Sequence, residues 1–563
     1  MSFDGIVTKA VTAELSKCII NGKIDKIHQP DKNSIIVGIY SNSIHYALNI
    51  CIDAHNCRIN LTTNSKPNPL VAPNFCMLLR KHIIGGRISK IEMVGLERLV
   101  KIYIDTINEF NEIEPKVLIC ELMGKHSNII LLNSKNNIID ALRHINSSSD
   151  FYRDILPQRT YSLPTSNKKD FTQIYNFDDF YTLTNNISTF DEISNIFTGF
   201  SKSFIKSSIL KCNIDSITRN NLEKLYIYIS KIVSLEAPLE FEEMYKNNKL
   251  SDYSLIISSN NEYSLNNFID NFYFNRESIE KFTNYKNNIL KIVSDLQKKY
   301  TNRLININSK LNECSEMDTF RLYGELMTAN LYRIPNTHSE FIEIENYYDN
   351  NNLIKIPLDI KYLPNINAKR YFKKYNKLKN AFQVVSLQKS DTEQELNYIE
   401  SILYEIESAQ KLEELQDIYE EISENMCLKK ITNKKSKKSS KSNSKKKVQN
   451  YSPIHCQIDD YDVYIGKNNK ENDWLTLSFA KKTDIWFHTK DIHGSHVILK
   501  TTNMPVSDDT LVKCAKLAAK HSKANMSSNV PVDYCKVQYI KKPAGSKPGM
   551  VIFTNNKTIY VNP

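Results

Sequence analysis

The 563-residue sequence contains no uninterrupted apolar run of the roughly 20 residues that a membrane-spanning helix needs. Its first residues, Met-Ser-Phe-Asp-Gly, lack the basic segment and apolar stretch of a secretory signal. Apolar residues nevertheless make up 41% of the chain, which is enough to form packed cores. These features predict a folded, cytoplasmic protein without a membrane anchor.

Paired cysteines and the short motifs of hydrolases and nucleotidases are absent as well. The 11 cysteines include no C-x-x-C pair, which argues against a zinc ribbon and against a disulfide framework. The patterns G-x-x-x-x-G-K-[ST], G-x-S-x-G and H-E-x-x-H do not occur. His488, His493 and His496 are close in sequence, but their spacing matches no common zinc pattern. We therefore expect no catalytic centre, no bound metal and no cofactor in this chain.

Acidic residues are missing from one strongly basic segment. The chain has a formal net charge of +11, and the ten lysines between Lys429 and Lys447 account for nearly all of it. Basic proteins often bind polyanions, but a surplus concentrated in one segment supports nucleic-acid binding only weakly. Residues 429–450 consist largely of Lys, Ser and Asn, so we expect a disordered linker. Such a linker could be a basic tether or simply a solvated connection.

The length predicts several domains, because one hydrophobic core seldom organises so many residues. Strand-like, helical and low-complexity stretches alternate along the chain. We predict an α+β multidomain protein with the following divisions: a mixed α/β domain at 1–180, a helical domain at 181–275, a coiled-coil arm at 276–428 with a tip region at 315–390, the disordered linker at 429–450, and a compact α/β domain at 451–563.

Two features in the middle of the chain can each be interpreted in two ways. Short helical patterns on either side of Gly199 resemble a helix-hairpin-helix, whose backbone can bind phosphate, but an ordinary helix junction fits equally well. Apolar residues also recur at steps of three and four over residues 289–311 and 396–422. This spacing predicts a long antiparallel coiled coil within one chain or, alternatively, a parallel coiled-coil dimer.

The last domain holds several cationic and aromatic candidates for RNA contact. A helix predicted at 508–524 places its lysines on one face, where they could follow a phosphate backbone or form an ordinary solvated surface. Trp486 and His488 share one face of a predicted strand and could stack on unpaired bases, although a buried tryptophan is the more common case. The predicted RNA-contacting residues are Lys467, Trp486, His488, Lys513, Lys516, Lys520, Lys523, Lys541, Lys542 and Lys547.

Short motifs spread over the whole chain resemble the NFACT family in the family's own order. The first region carries Phe3-Asp-Gly5, Gly95-Leu-Glu-Arg98 and the motif at 121–128, the middle carries the motifs at 321–326 and 367–379, and the last region carries Trp486-Phe-His488, Gly494-Ser-His-Val497 and the motif at 541–549. The resemblance implies a first domain similar to DNA glycosylases of the Fpg/MutM type. It also implies a C-terminal NFACT-R RNA-binding domain.

The same resemblance implies a non-enzymatic role in ribosome quality control. Proteins of this kind bind large ribosomal subunits obstructed by peptidyl-tRNA, recruit alanine tRNA, and support mRNA-independent alanine tailing of the nascent chain. The implied tRNA contacts are Glu97 and Arg98, which stand where the family has an Asp-Arg pair, together with Arg80 and Lys125. A small S4-domain protein is a further implied partner. The family is also often described as fibronectin-binding, so a cell-surface adhesin is the alternative.

Overall fold

The computed structural model describes residues 3–146, 153–246, 249–258, 264–425, 451–501 and 505–563. The chain divides into two compact units, Met1–Ser278 and Ile279–Pro563, which we call the first and the second unit. The predicted linker at 429–450 lies outside the described residues. Among the residues that the structure describes, no helix is long and apolar enough to cross a bilayer.

A nine-stranded antiparallel sheet forms the framework of the first unit. Its strand order is β4-β3-β2-β1-β5-β6-β7-β8-β9. The strands are β1 (Lys23–Asp31), β2 (Ser34–Ser41), β3 (Ile44–Cys51), β4 (Arg58–Leu61), β5 (Arg87–Met93), β6 (Leu99–Ile107), β7 (Ile113–Glu121), β8 (Asn128–Leu132) and β9 (Ile138–Ala141). Strands β1–β4 form one half of the sheet and strands β5–β9 form the other. The two halves are joined where Lys23 of β1 pairs with Arg87 of β5.

Two helices cover this sheet. Helix α1 (Gly5–Ile19) begins at Asp4, whose side chain accepts a hydrogen bond from the backbone N–H of Val7. Helix α2 (Asn74–Ile83) contributes Phe75 and Leu79 to the same hydrophobic core. Because α1 buries residues on nearly all of its faces, it forms the centre of the first unit.

The rest of the first unit is mainly helical. It contains α3 (Phe177–Thr184), α4 (Ile193–Ile196), α5 (Lys202–Lys211), α6 (Arg219–Ser234) and the hairpin of β10 (Leu239–Lys246) and β11 (Lys249–Ile257). The prediction of two short helices around Gly199 is confirmed, since α4 and α5 flank it and its φ is +79°. Phe171, Phe180, Phe197 and Phe200 pack around this turn at centroid distances of 5.3–6.0 Å.

The second unit is built on long antiparallel helices. Its helical part consists of α7 (Leu265–Cys314), which begins in the first unit, then α8 (Met317–Ala329), α9 (Pro364–Ser408) and α10 (Leu412–Asn425). Lys286 on α7 donates to the Glu407 carbonyl near the end of α9, at 2.9 Å. Helix α8, which directly follows α7, packs against the beginning of α9. The two long helices therefore run in opposite directions within one chain, as one of the two sequence alternatives predicted.

The helical arm differs from the prediction in two places. The apolar spacing over 396–422 predicted one continuous helix, but α9 ends at Ser408 and α10 begins at Leu412. Leu415 and Ile418 of α10 join Ile402 and Ile406 of α9 in one core, which maintains the periodic pattern across the break. The return helix also begins at Pro364, well inside the predicted tip region. The tip itself consists of α8 and the hairpin of β12 (Phe341–Asn346) and β13 (Asn352–Pro357).

The C-terminal domain of the second unit is a six-stranded antiparallel sheet covered by α12 (Asp508–Lys520). The sheet order is β14-β15-β17-β16-β18-β21. The remaining elements are β14 (Ile454–Ile458), β15 (Tyr461–Ile465), α11 (Asn469–Trp474), β16 (Ile485–Thr489), β17 (Val497–Leu499), β18 (Val530–Lys536), β19 (Ile540–Lys541), β20 (Ile552–Phe553) and β21 (Lys557–Val561). Helix α12 ends at Lys520 and not at 524 as predicted, because buried Ser522 turns the chain towards Gly494.

Candidate nucleic-acid interface

The turn between β5 and β6 holds Glu97 and Arg98 in the first unit. Gly95 opens this turn with a φ of +54°, and a Cβ at that position would lie 2.0 Å from a carboxylate oxygen of Asp170. The buried side chain of Leu96 anchors the turn to the core, and the Leu122 N–H donates to the Arg98 carbonyl at 2.8 Å. Glycine is therefore required at 95, and the half-exposed Glu97 and Arg98 stand on a fixed backbone.

The environment of these two side chains is only partly open to solvent. Burial raises the pKa of Glu97, while a hydrogen bond from Ser166 and the charge of Arg98 oppose that rise. Burial also raises the pKa of Asp4, and hydrogen bonds from Ser201 and the Val7 N–H, together with the Arg98 charge, act in the other direction. The Arg98 charge thus acts on two carboxyl groups, one of which caps α1. Two sequence motifs far apart in the chain meet here.

A segment that sequence analysis overlooked, residues 166–170, lies against this turn. Lys169 forms an isolated parallel bridge with Phe197, and its carbonyl accepts from the Thr198 N–H at 2.9 Å. Lys168 donates to the Ser194 carbonyl at 2.8 Å. The segment is therefore held in place on its far side while Ser166 and Asp170 contact the Glu97 turn. It reads as a polar loop in the sequence, and no periodic pattern could have revealed it.

The Gly199 turn packs into the interior of the first unit. A Cβ at Gly199 would lie 2.3 Å from the Leu96 carbonyl oxygen, and the Gly199 carbonyl accepts from the Gly5 N–H at 2.9 Å. These contacts bring α1, the Glu97 turn and the α4–α5 junction together. They favour the ordinary helix junction over a phosphate-binding helix-hairpin-helix.

The other two predicted tRNA contacts lie on different elements. Arg80, in the last turn of α2, donates from Nε to the Ile27 carbonyl at 2.8 Å. Lys125 is exposed on the short 3₁₀ turn at Gly124–His126. One nitrogen of the Arg80 guanidinium is thus bonded to the sheet, whereas the Lys125 ammonium is exposed and available to a ligand.

The strongest cationic feature of the second unit is a row of lysines that we call the lysine stripe: Lys513, Lys516 and Lys520 on α12, and Lys523 in the turn after it. All four are exposed, and the opposite face of α12 packs Cys514, Ala515 and Ala518 onto the sheet. Lys513 pairs with Asp459 at 2.8 Å and with Asp509 at 2.9 Å, and these bonds raise its pKa. The other three have no ion-pair partner in the part of the chain that the structure describes. The predicted row on one helix face is confirmed for Lys513, Lys516 and Lys520, while Lys523 is exposed in the turn beyond the helix.

The aromatic prediction fails for Trp486. Its side chain is 1% exposed and stacks on His488 at 5.6 Å, so it cannot also stack on a base. Burial lowers the pKa of His488 to about 4 and also lowers that of His496, whose Nδ1 lies 2.7 Å from the Thr476 hydroxyl. Strand alternation placed Trp486 correctly relative to its neighbours but could not tell which face of the sheet is covered.

Three of the remaining predicted lysines are engaged within the protein. Lys467 donates to the Ser452 carbonyl at 2.5 Å, and Lys542 pairs with Asp473. Lys547 pairs with Glu395 of α9 at 3.0 Å. Lys541, in contrast, is exposed. Lys542 and Lys547 therefore hold the fold together, and the open cationic surface is narrower than the sequence predicted. No group of three metal-ligating side chains occurs among the described residues.

The C-terminal domain is attached to the helical arm by contacts that sequence analysis did not identify. Asn469 donates to the Ser401 hydroxyl at 3.1 Å and to a Glu421 carboxylate oxygen at 3.3 Å. Lys470 pairs with Glu424 at 2.6 Å. Because Asn469 is buried and Glu421 is 0% exposed, this contact is part of the core of the second unit.

A buried pair of carboxyl groups lies at the same contact. Burial and the mutual repulsion of the two groups raise the pKa of Glu405, and burial raises that of Glu421. Each has one oxygen without a hydrogen-bond partner among the described residues, whereas the other Glu421 oxygen accepts from Tyr398 at 2.8 Å. Two adjacent buried carboxyl groups favour a state in which they hold one proton between them.

Comparison with known proteins assigns both ends of the chain to one family. Residues 4–441 match the model of the NFACT N-terminal and middle domains, and residues 447–555 match that of the NFACT protein RNA binding domain. The chain is 34% identical over 581 residues to the Rqc2 homolog RqcH of Bacillus subtilis (strain 168), covering 100% of this chain and 98% of the relative. It is 31% identical over 570 residues to the Rqc2 homolog RqcH of Streptococcus pneumoniae D39, with the same coverage.

Among solved structures, the N-terminal part of the fibronectin/fibrinogen-binding protein from Streptococcus suis is similar with a TM-score of 0.42 and 26% identity. The similarity covers 49% of this chain and 100% of that one.

Proposed function

The chain belongs to the NFACT family, and from this membership we propose that it acts in ribosome quality control as an RNA-binding factor. The observation that carries the proposal is the full-length similarity to Rqc2 homologues. The chain interacts with the ribosome and with tRNA. In this pathway it binds large subunits that still carry peptidyl-tRNA, recruits alanine tRNA, and promotes mRNA-independent alanine tailing. Peptidyl transfer is carried out by the ribosome, so this chain selects and positions tRNA.

The Glu97–Arg98 turn is the proposed tRNA contact. A guanidinium presents a rigid fork of donors that fits phosphate or a base edge, and a neighbouring carboxylate can accept from a base amino group. Both side chains are half-exposed and stand on a backbone fixed by Gly95 and Leu96, so little conformational freedom is lost on binding. Lys125 and Arg80 are proposed to extend this contact along the tRNA.

The lysine stripe and Lys541 are the proposed rRNA-facing surface of the C-terminal domain. Exposed, unpaired lysines bind phosphates by releasing condensed counterions, without reading sequence. Lys467, Lys542 and Lys547 are occupied by protein partners and His488 stacks on Trp486, so these four side chains support that surface from within. The predicted domain boundaries, the Fpg/MutM-like assignment, the small S4-domain partner and the cytoplasmic location belong to the same proposal.

The test is to purify the full chain from its cells and sequence the RNA that co-purifies with it. We expect alanine tRNA and large-subunit rRNA to be enriched, and the Glu97→Ala, Arg98→Ala double variant to lose the tRNA and the alanine tails. Lys135→Ala, at another exposed position of the first unit, is the matched control and should behave as wild type. Unchanged tails in the double variant would contradict the role of the turn.

The surface adhesin alternative makes a different prediction for intact cells. An adhesin would be removed by surface proteolysis and would confer fibronectin binding, whereas a ribosome factor is recovered only from lysed cells. Protease protection of the chain in intact cells would therefore exclude the adhesin.

A further inference from the structure

The hairpin that joins β6 and β7 ends in a cluster of exposed apolar side chains. Ile107, Phe110 and Ile113 are 72%, 83% and 73% exposed, and Ile107 pairs directly with Ile113 across the two strands. We call residues 107–113 the hairpin tip. Single exposed apolar residues are ordinary, but three at the end of one hairpin form a contiguous patch. In the described part of the chain, none of these three side chains belongs to a hydrophobic core cluster.

The hairpin tip is an ordered loop. The Asn108 side chain accepts from the N–H groups of Phe110 and Glu112, both at 2.9 Å, and donates to the Glu112 carboxylate at 3.0 Å. The Asn108 N–H also donates to the Glu112 carbonyl at 2.9 Å. These local bonds fix the backbone that carries Phe110, which lowers the entropic cost of binding.

The charge around the hairpin tip is opposite to that of the chain as a whole. Glu109 and Glu112 flank Phe110, no basic residue occurs between 107 and 113, and the chain carries a net charge of +11. Carboxylates repel RNA phosphates and anionic lipid headgroups, so neither is a fitting partner. An apolar knob rimmed by acids fits an apolar pocket rimmed by lysine or arginine on another protein.

We propose that the hairpin tip docks into a basic, apolar-lined pocket on a protein of the large ribosomal subunit. This inference rests on the proposed function, which brings the chain to a surface made of rRNA and cationic proteins. Phe110 is the anchor that enters the pocket, Ile107 and Ile113 seal its edge, and Glu109 faces the basic rim. Through this contact the chain recognises a ribosomal protein, whereas its other proposed contacts bind RNA.

Photo-crosslinking tests the identity of the partner. Phe110→p-benzoylphenylalanine in the full chain is bound to purified large subunits and irradiated, and both protein and RNA adducts are analysed. We expect an adduct with one basic ribosomal protein. Tyr175→p-benzoylphenylalanine is the matched control, because Tyr175 is 84% exposed elsewhere in the first unit. An adduct with rRNA, with an acidic protein or with a second copy of this chain, or no adduct above the control, would overturn the inference.

Affinity measurements on the same subunits separate this inference from the proposed function. Phe110→Ala should weaken binding about tenfold or more, as expected for an aromatic anchor at the centre of a contact. Glu109→Lys should weaken it severalfold, and Tyr175→Ala should not change it. These positions are exposed, so the variants should fold, which circular dichroism checks. If wild type binds and both tip variants bind equally well, the inference alone is wrong; if wild type does not bind subunits, the proposed function fails with it.

Discussion

The two proposed RNA contacts, the Glu97–Arg98 turn and the lysine stripe, differ in how they hold their charges. At the turn, the charge of one guanidinium acts on both Asp4 and Glu97, and the backbone is fixed by a glycine and a buried leucine. At the stripe, free ammonium groups project from a helix into solvent. The first arrangement depends on geometry and the second on the number of charges. A site of the first kind can discriminate between RNAs, whereas one of the second kind adds affinity for any phosphate backbone.

The largest expected effect comes from changing geometry while keeping charge. Arg98→Lys should weaken tRNA binding about 10- to 100-fold, because an ammonium cannot replace two parallel guanidinium bonds and each hydrogen bond to a charged group is worth about 1.5–3 kcal/mol. Lys520→Arg, the matched change on the stripe, should leave rRNA binding unaltered. Filter binding with tRNA and rRNA fragments measures both. Equal tolerance at the two positions would show that geometry matters no more at the turn than at the stripe.

Removing charges from the stripe should instead change the salt dependence. The Lys516→Ala, Lys520→Ala, Lys523→Ala triple variant should bind rRNA severalfold to tenfold more weakly at physiological salt. The slope of log K against log salt should fall by about two to three, since each lost phosphate contact contributes about 0.7–0.9. Lys513→Ala is the matched control, because Lys513 is already paired with Asp459 and Asp509. A slope change as large for Lys513 as for one of the free lysines would show that its ion pairs do not persist in solution.

The stripe also depends on how its domain is attached to the helical arm, and that attachment should respond to pH. The raised pKa values of Glu405 and Glu421 mean that the folded state binds more protons than the unfolded chain. The stability of this contact is therefore fully present below the ordinary glutamate pKa and declines as pH rises above it, by on the order of 1 kcal/mol per pH unit.

Glu405→Gln should flatten this decline, because a neutral amide replaces the group that must stay protonated beside Glu421. Urea unfolding of the full chain at pH 5 and pH 8, followed by a probe in the C-terminal domain, measures the effect. Glu407→Gln, at an exposed position of α9, serves as the control. If both variants keep the wild-type pH dependence, the carboxyl pair does not share a proton.

Local periodicity predicted the parts of the molecule that are built from repeating contacts. Steps of three and four residues located the packed middle of α7 and the packed end of α9, and the lysine spacing located the exposed face of α12. The same reasoning placed the start of α9 too late, because it began the return helix only where the spacing of Leu396 and Ile399 begins, although Tyr371, Tyr375, Leu378, Phe382 and Val385 already recur at steps of three and four. Residues 365–395 are helical since Pro364 begins the helix and no glycine or further proline interrupts it.

The contacts of the candidate sites could not be predicted in this way. Periodicity says which residues share a face, but not which distant segment covers that face. The pairing of Lys547 with Glu395 depends on how the C-terminal domain and the helical arm pack together. Trp486 is covered by Leu475, Val537 and Ile540 of its own domain, which are distant from it in sequence. Glu97 and Arg98 were found through family resemblance, and their neighbours at 166–170 were not found at all.

The smallest expected effect tests one of those neighbours. Ser166→Ala removes the hydrogen bond to Glu97 but leaves the Gly95 turn and the Lys169 bridge in place. Losing one such bond at a half-exposed carboxylate should weaken tRNA binding about two- to fivefold, with the temperature of unfolding unchanged. Ser166→Thr, which keeps the hydroxyl, should restore binding, and Asn167→Ala controls for changes in the loop. Because the stripe is untouched, rRNA binding and its salt slope should stay at wild-type values. A loss of rRNA binding equal to that of tRNA would mean that the turn acts through general charge, and the contrast between the two regions would then be one of degree only.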